Sequence, residues 1–333
     1  MTLLALSLLL ATLAGFGGRL SWMLGLFSPF RFQLLLLCLI ATLSLCLGRT
    51  YLHWRIGPGL AAALLGVIIN GVLVAPAWIA APQPVATGPS LTLFAVNLYH
   101  GNHQLNTRET AAPIADVLNQ SQADVLLIQE VTVHRLGILR KVLTNYHWVT
   151  GTGRPDAFGI ALFVKRDSPN STGLPSHLQI ESAREIDTTQ GLVHIKQVEL
   201  RARFHGQPLS LLGMHTISAV HARTDRYRTA MLLTAADWAN QERQTGRAVV
   251  ILGDLNATPW CAPFVDLLRL AQLSDSRQGL GLQPSWPSRW PSLLRIPIDH
   301  CLHSSELITR QRTVLVQDLG SDHFPLVVTL QWR

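Results

Sequence analysis

The sequence predicts an α/β domain, with sheets covered by helices, that follows about three transmembrane helices. Three observations support this fold class. Residues 1–82 contain long apolar runs and no acidic residue. Residues 83–90 are rich in proline, which disfavours both helix and strand, so we interpret them as a linker. From residue 91 onward, short apolar runs alternate with amphipathic helical stretches, which is typical of one mixed domain over residues 91–333.

The membrane region, residues 1–82, contains three apolar runs near residues 2–18, 32–48 and 59–80. Each is close to the ~20 residues that span hydrocarbon, and a helix satisfies its own backbone polar groups there. A signal peptide is the alternative for the first run, but no basic residue precedes the run and two more follow it. A buried soluble subdomain is the other alternative, and the absence of acidic residues disfavours it.

The arginines of the membrane region bear on its orientation. Arg49 and Arg55 lie in one connection, and the segment after the third run, residues 81–107, has no charged residue. The positive-inside bias therefore favours an extracytoplasmic domain. Arg19 and Arg31, in the other connection, argue for the opposite orientation.

Coarse element predictions follow from apolar periodicity within residues 91–333. Asn106 and Glu109 suggest a capping box that opens the first helix, and His205-Gly206-Gln207 suggests a hairpin turn. The predicted strands are 91–97, 124–130, 192–204, 208–215 and 249–253, with others near 297–302, 313–317 and 325–332; the predicted helices are 106–120, 221–243 and 262–272.

Charge and cysteine content exclude some functional classes. The four arginines of residues 1–82 leave 23 basic against 20 acidic residues in the remainder, a small excess that does not by itself predict nucleic-acid binding. The four cysteines show no zinc-ligand spacing. They fit buried thiols, although a Cys261–Cys301 disulfide would be compatible with an extracytoplasmic domain.

Polar residues repeatedly follow apolar strands, where loops converge. Each alone is typical of a turn or a cap, and a lone histidine there is usually structural. Together, carboxylates, amides and imidazoles suit a hard divalent cation and a phosphate, so we expect Mg²⁺, and Mn²⁺ would also fit. The residues concerned are Asn97, Glu130, His215, Asp254, Asn256, Asp299, Asp322 and His323.

This ordered series resembles the motifs of the endonuclease/exonuclease/phosphatase superfamily, the deoxyribonuclease I-like fold, over residues 91–333. The stretch Gly253-Asp254-Leu255-Asn256-Ala257-Thr258-Pro259-Trp260, with Pro297-Ile298-Asp299-His300 and Gly320-Ser321-Asp322-His323, is similar to a bacterial branch that often carries N-terminal membrane helices. The resemblance implies a two-sheet α/β sandwich with its site at one end. It also implies a multi-pass protein of a bacterial-type plasma membrane.

The resemblance also implies residue roles. Glu130 matches the principal metal ligand, with Asn97 and Asp322 near the metal. Asp254 matches the aspartate that orients or deprotonates the attacking water, with or without a second metal. The phosphate contacts and the histidine pair complete the set: Asn256 would hold a phosphate oxygen, His215 would contact phosphate or protonate the leaving group, Asn97 would also contact phosphate, and His323 would pair with Asp299.

Two positions depart from the family pattern. Tyr99 stands where some members have a carboxylate, and Lys165-Arg166 replaces a common serine-arginine. Neither is a core catalytic position, so these departures concern substrate identity. The loop Pro284–Pro291, with Trp286 and Trp290, could pack against the domain, contact lipid or stack a base.

The sequence thus predicts a membrane-anchored, Mg²⁺-dependent phosphoesterase that hydrolyses a phosphodiester by in-line attack of water. Its substrate could be a nucleic acid, a lipid or a small phosphate ester, and no protein partner is evident. The alternative is a catalytically inactive, membrane-tethered binding module on the same fold, which the complete motif set disfavours. A transporter is disfavoured because the apolar runs contain no ionisable residue that would mark a pathway.

Overall fold

Two six-stranded β-sheets pack face to face in the structure, a computed structural model that describes residues 1–52, 57–80, 86–102, 106–168 and 175–333. Helices cover the outer face of each sheet, so the predicted α/β sandwich is confirmed. Residues 81–85, which include part of the predicted linker, lie outside the described residues.

The elements follow one another along the chain with short connections. The helices are α1 Thr2–Ala14, α2 Trp22–Gly25, α3 Arg31–Leu52, α4 Gly57–Val74, α5 Arg108–Gln120, α6 Val133–Val142, α7 Ala222–Gln244 and α8 Ala262–Ala271. The strands are β1 Ser90–Asn97, β2 Val125–Gln129, β3 Tyr146–Thr152, β4 Ile160–Lys165, β5 Leu178–Asp187, β6 Lys196–Phe204, β7 Gln207–His215, β8 Ala248–Asp254, β9 Ser274–Asp275, β10 Asp299–His303, β11 Leu307–Val314 and β12 Leu326–Trp332.

The first sheet has the order β11-β12-β1-β2-β4-β3, and the second has the order β5-β6-β7-β8-β10-β9. Between them lies the main core, to which both sheets contribute fully buried side chains such as Leu93, Leu127, Leu211 and Val250. Each such side chain contributes roughly 1.5–3 kcal/mol by leaving water. The parallel pairs β1–β2 and β7–β8 lie at the centres of the two sheets. The site residues described below lie at the carboxyl ends of these strands.

Local sequence explains where several elements begin and end. The two-residue connection between β6 and β7 is His205-Gly206, both with positive φ, as a tight hairpin that matches strand twist requires. Helix α5 begins at Arg108, two residues after the predicted start at 106, and its N-cap lies one residue after Asn106. Its capping box is formed by Thr107 and Thr110, not by Asn106 and Glu109, because the Thr107 hydroxyl accepts from the Thr110 amide.

Other boundaries differ more. The strand expected near 313–317 is β11, which ends at Val314, because its register against β12 begins at Leu307. Strands β3, β4 and β5 and helix α6 had no sequence prediction. Helix α6 has a weak apolar stripe with Arg135 among its buried residues, and β5 is mostly half-exposed, so neither shows a clear period.

Three helical segments at the N-terminus are long and apolar enough to cross a membrane: Thr2–Arg19, Trp22–Tyr51 and Gly57–Ala77. They pack on one another around a small core of their own that includes Ala5, Cys38 and Ala63. Their outward faces carry many exposed leucines, as a lipid-facing bundle requires.

Candidate active site

Strand register brings three of the expected residues into one row. His215 pairs with Asp254 across the parallel strands β7 and β8, and Asp254 pairs with Asp299 across the antiparallel strands β8 and β10. Directly paired residues on neighbouring strands point to the same face. The row therefore presents an imidazole and two carboxylates side by side at the end of the second sheet.

The first sheet contributes the facing part of the site. Asn97 ends β1, and Glu130 directly follows β2. The Asn97 amide nitrogen donates to Glu130 Oε1 at 2.9 Å and to Asp254 Oδ2 at 3.3 Å, so it joins the two sheets. Glu130 Oε2 accepts from the His100 amide at 2.5 Å. Glu130 itself has φ of 57°, a strained conformation that occurs preferentially at functional sites.

The turn after β8 positions Asp254 and Asn256. The Asn256 amide donates to Asp254 Oδ1 at 2.8 Å, and Asn256 Nδ2 donates to the Thr216 carbonyl at 2.8 Å and lies 3.4 Å from Asp254 Oδ2. Gly253 has φ of 132°, and a Cβ there would lie 2.1 Å from the Met214 carbonyl oxygen. Only glycine therefore allows β8 to approach β7 so closely at the residue before Asp254.

His323 and Asp299 form the pair that the family resemblance implied. His323 Nδ1 lies 2.9 Å from Asp299 Oδ2, and His323 Nε2 lies 3.6 Å from Asp254 Oδ2. All three side chains are buried. The Ser321 hydroxyl accepts from the His323 amide at 3.0 Å and donates to the Asn97 carbonyl at 2.6 Å, which fixes this loop against β1.

The side chain of Gln197 holds the backbone of His215. Its amide donates to Gln197 Oε1 at 2.7 Å, and its carbonyl accepts from Gln197 Nε2 at 3.1 Å. Its Nε2 atom lies 3.6 Å from Asp254 Oδ2 and 3.8 Å from Glu130 Oε1. The imidazole therefore faces both carboxylates from the side opposite His323.

Asp322 lies at the edge of the group. Its Oδ2 accepts from Trp286 Nε1 at 3.1 Å, and its Oδ1 is buried with no hydrogen-bond partner among the described residues. No contact joins it to Glu130 or Asn97 in the described part of the chain, so the structure does not bring the three expected metal ligands into mutual contact. The unpartnered oxygen remains available to a cation or a bound water.

Burial and neighbouring charges shift several pKa values. Burial, with the Asp299 and Glu130 carboxylates, raises the pKa of Asp254 to about 8, although His323 opposes this shift. Burial would lower the pKa of His323, but the Asp299 and Asp254 carboxylates outweigh it and raise that pKa to about 10. The same pairing keeps the pKa of Asp299 below its usual value in spite of burial. Burial lowers the pKa of His215.

Two groups of ligand atoms could hold a cation. Asp254, Asp299 and His323 offer one atom each, all within 4.8 Å. However, the His323 proton already binds Asp299, and an imidazolium does not bind metal. Glu130 and Asp254 form the second group. No arginine or lysine lies within ion-pair distance of either carboxylate in the described part of the chain, so the donor set fits a hard divalent cation.

Sequence reasoning missed three residues that position the site. Gln197 holds His215. The Arg228 guanidinium donates to the Asn256 carbonyl at 2.6 Å and pairs with Asp225. Trp286, which the sequence left between packing and ligand contact, donates to Asp322. None of them follows an apolar strand, and the only local sign was the unusual Pro-Trp composition around Trp286.

Both the sequence and the fold of this chain have known counterparts. Residues 95–323 match the family model described as Endonuclease/Exonuclease/phosphatase family. Among curated proteins, none matches the chain significantly.

Solved structures share the fold. TDP2 from D. rerio, complexed with single strand DNA product, superposes with a TM-score of 0.60 at 18% identity, over 73% of this chain and 99% of that chain. A mannosyl-6-phosphatase from Bacteroides thetaiotaomicron gives 0.58 at 17% identity, over 73% and 100%. TDP2 from C. elegans gives 0.58 at 16% identity, over 86% and 83%. At such identities the likeness concerns the fold alone.

Proposed function

The chain belongs to the endonuclease/exonuclease/phosphatase family, and from this premise we propose that it is a membrane-anchored, metal-dependent phosphoesterase that hydrolyses a phosphodiester. One observation carries the proposal. The ends of both sheets bring acidic, amide and imidazole side chains into contact at a single point, with Asn97 and Asp254 joined across the sheets. A binding module without activity would not need Asp254, Asp299 and His323 buried together at one point.

The proposed ligands of Mg²⁺ are Glu130, Asn97 and Asp322, and Mn²⁺ fits the same oxygen donors. Bound there, the cation would supply positive charge against the phosphoryl oxygens. Two features support this choice: among the described residues no lysine or arginine forms an ion pair with the mostly buried Glu130 carboxylate, and Asp322 Oδ1 has no hydrogen-bond partner. Buried carboxylates without such compensation are costly.

Asp254 is the proposed general base. Its raised pKa, about 8, lies close to neutral pH, where a base is most effective. Its Oδ2 atom is within 3.6 Å of both histidines, so water attacking phosphorus from this side would lie among groups that can take up and return a proton.

His323 and His215 take different roles in this proposal. Asp299 keeps His323 protonated, so its imidazolium Nε2 faces the phosphoryl group as a cationic donor. His215 is neutral because burial disfavours its charged form, and it donates a hydrogen bond to a phosphoryl oxygen. To donate to a phosphoryl oxygen as well, Asn97 and Asn256 would exchange their longer contacts with Asp254 Oδ2, at 3.3 and 3.4 Å, for the substrate. Donors fixed before the charge develops stabilise the transition state without reorganisation.

The division of the chain is also part of the proposal: residues 1–82 anchor it in a bacterial-type plasma membrane, 83–90 link, and 91–333 carry the catalysis. The backbone contacts of residues 86–89 with β12, such as Trp332 N to the Pro89 carbonyl at 3.2 Å, indicate that the last part of the linker packs on the domain. The substrate could be a nucleic acid, a lipid or a small phosphate ester.

Glu130→Gln tests the function. The change keeps the side-chain shape and removes the ligand charge, so we expect hydrolysis of a chromogenic diester with Mg²⁺ to fall roughly 10²-fold or more. The melting temperature should stay constant or rise, because one of two adjacent carboxylates loses its charge. The control is Glu306→Gln, because Glu306 is exposed and lies just beyond the end of β10 that is far from Asp299. Full activity of Glu130→Gln, or of the wild type in EDTA, would contradict the proposal.

A further inference from the structure

A cleft of about 150 Å³ leads from the site to the membrane helices. On the catalytic side its wall includes Asn256 and Trp286. On the other side it includes Trp22, Leu26 and Pro29, all from the segment between α1 and α3. The membrane region therefore forms part of the mouth of the site.

The three spans identify which end of the bundle this is. Asn70 of α4 donates to Thr12 of α1 at 2.9 Å, and Arg31, the first residue of α3, donates to the Thr12 carbonyl at 2.6 Å. The end of α1, the start of α3 and the end of α4 consequently lie on the same side. The cleft opens at the level where the helices leave the apolar layer, not beside the middle of the bundle.

Direct contacts hold the catalytic domain against this end. Trp260 Nε1 donates to the Leu73 carbonyl at 2.9 Å, and the Gly281 amide donates to the Ala77 carbonyl at 2.7 Å. Gln33, in the first turn of α3, donates from Nε2 to the Leu293 carbonyl at 3.0 Å. The Pro-Trp loop that borders the site is thus tied to the beginning of a span.

Exposed apolar side chains lie close in sequence to residues that line the cleft. Met23 and Phe30, next to Trp22 and Pro29, are 58% and 46% exposed, and Trp290 of the Pro-Trp loop and Leu293, just after that loop, are 55% and 56% exposed. The arginines in this region that reach the surface are Arg289, which is exposed, and Arg295, which is half-buried; Arg277 is buried and pairs with Asp275. Tryptophan and arginine beside apolar side chains are typical of a headgroup layer, and a water-facing surface rarely has such a patch.

We propose that the substrate is a phosphodiester in the headgroup of a lipid of the same bilayer, which enters the cleft from the membrane side. Its apolar chain lies along Trp22, Leu26 and Pro29, and its phosphate reaches Asn256. The inference rests on the function proposed above. Water supplies hydroxyl to phosphorus and a proton to the departing ester oxygen as the P–O bond breaks, so no further reactant is needed.

The site needs no extraction of the lipid from the membrane. Removing an acyl chain from hydrocarbon costs about 0.8 kcal/mol per methylene, whereas sliding along the bilayer to a cleft at headgroup depth leaves most of the chain in place. A long-chain diester should therefore be a much better substrate than a short-chain diester with the same reacting group.

The test uses the full chain in phosphatidylcholine vesicles with Mg²⁺. Hexadecyl p-nitrophenyl phosphate in the vesicle and methyl p-nitrophenyl phosphate in water release the same chromophore. We expect kcat/KM to be at least about tenfold higher for the hexadecyl ester. Equal values, or faster cleavage of a single-stranded oligonucleotide than of the hexadecyl ester, would overturn the lipid assignment. Cleavage of none of the three would instead count against the proposed function.

Leu26→Asp places a charge on the apolar wall and should lower the ratio of hexadecyl to methyl hydrolysis about tenfold. Leu270→Asp is the matched control, since the two leucines are 44% and 43% exposed and Leu270 lies at the far end of α8. Trp22→Ala, a milder change of the same wall, should also lower the ratio of hexadecyl to methyl hydrolysis. An unchanged ratio in both wall variants would contradict the proposed path.

Discussion

At the scale of single residues, the site depends on one buried ion pair. His323 and Asp299 lie 24 residues apart and meet at 2.9 Å between side chains that are both nearly inaccessible to water. A carboxylate at one imidazole nitrogen stabilises the cation and fixes which nitrogen faces the substrate. Two residues that act this way form one catalytic unit.

A double-mutant cycle tests that unit. We expect His323→Ala to reduce the rate by orders of magnitude and Asp299→Asn by roughly 10²-fold, because the second change keeps the shape but loses the charge. The double variant should be little slower than His323→Ala alone, since the aspartate acts through the histidine. Rates per folded molecule, corrected by circular dichroism, check this. Strictly additive losses would mean that Asp299 only supports the strand end.

The acid–base state of Asp254 gives a prediction about metal affinity. A carboxyl with a pKa of about 8 holds a proton at neutral pH, and the positive charge of a cation bound at the neighbouring Glu130 would favour release of that proton. Affinity for Mg²⁺ should therefore rise as pH approaches about 8 and become constant above it. In the metal-free protein, stability changes in the opposite direction. Because the pKa of Asp254 is raised in the folded state, the free energy of unfolding falls as pH rises from 3.8 towards 8.

Calorimetry in buffers of different ionisation enthalpy measures this effect directly. We expect proton release on Mg²⁺ binding at pH 6.5 that disappears at pH values well above 8, and a flat profile in Asp254→Asn. Glu306→Gln should behave like the wild type. Proton release that persists unchanged in Asp254→Asn would assign the proton to another group.

At the scale of elements, strand register decides whether the site exists. Because side chains alternate along a strand, a slip of one residue between β8 and β10 would turn Asp299 away from Asp254. Both strands are buried along their whole length, and Leu252 and Cys301 pair with each other in the core between the sheets, which supports this register. The packing of the core and the geometry of the site are therefore set by the same pairing.

Helices α3 and α4 of the proposed membrane region pack closely at a glycine, which gives a prediction at this scale. A Cβ on Gly66 of α4 would lie 2.6 Å from Cys38 Sγ of α3, whereas the nearest atom to a Cβ on Gly71 is 4.0 Å away. Small residues allow such close helix contacts in membranes. Gly66→Leu should lower the melting temperature of the detergent-solubilised protein by several degrees. Gly71→Leu, on the same helix, should change it little, and equal effects would contradict the contact.

At the scale of the whole molecule, the bundle fixes which segments share a side. Thr2 of α1 and Gly59 of α4 lie at one end, and the catalytic domain lies at the other with Arg19 and Arg31. Arg19 forms an ion pair with Asp266, and Arg31 is buried against Thr12. Neither acts as a free loop charge, so Arg49 carries more weight in the positive-inside bias; Arg55 lies outside the described residues.

We therefore propose an extracytoplasmic catalytic domain. Alkaline phosphatase fused after Arg333 should be active in cells, and green fluorescent protein at the same position should remain dark. Fusions directly after Arg49, with all later residues of the chain removed, should give the opposite result. A fluorescent C-terminal fusion would place the domain in the cytoplasm.

What the sequence determined by itself was local. Apolar run length predicted three helices of membrane-spanning length, and short apolar runs with a hairpin turn predicted most strands of the second sheet, because burial acts on each segment separately. Polar residues after apolar strands predicted Asn97, Asp254 and Asp299, which the structure places in one cluster. The segments without a clear period, such as β5 and α6, could not be predicted in this way.

What only the tertiary structure decided depends on contacts between distant segments. Sequence spacing gave no measure of the 2.9 Å approach of His323 to Asp299, of the support from Gln197 and Arg228, or of the position of Asp322 beside Trp286. Nor did it predict that Trp22 and Leu26 border the catalytic mouth. Such contacts follow from how the two sheets and three helices fit together, because the free energy of packing belongs to the complementary surfaces and not to either segment alone.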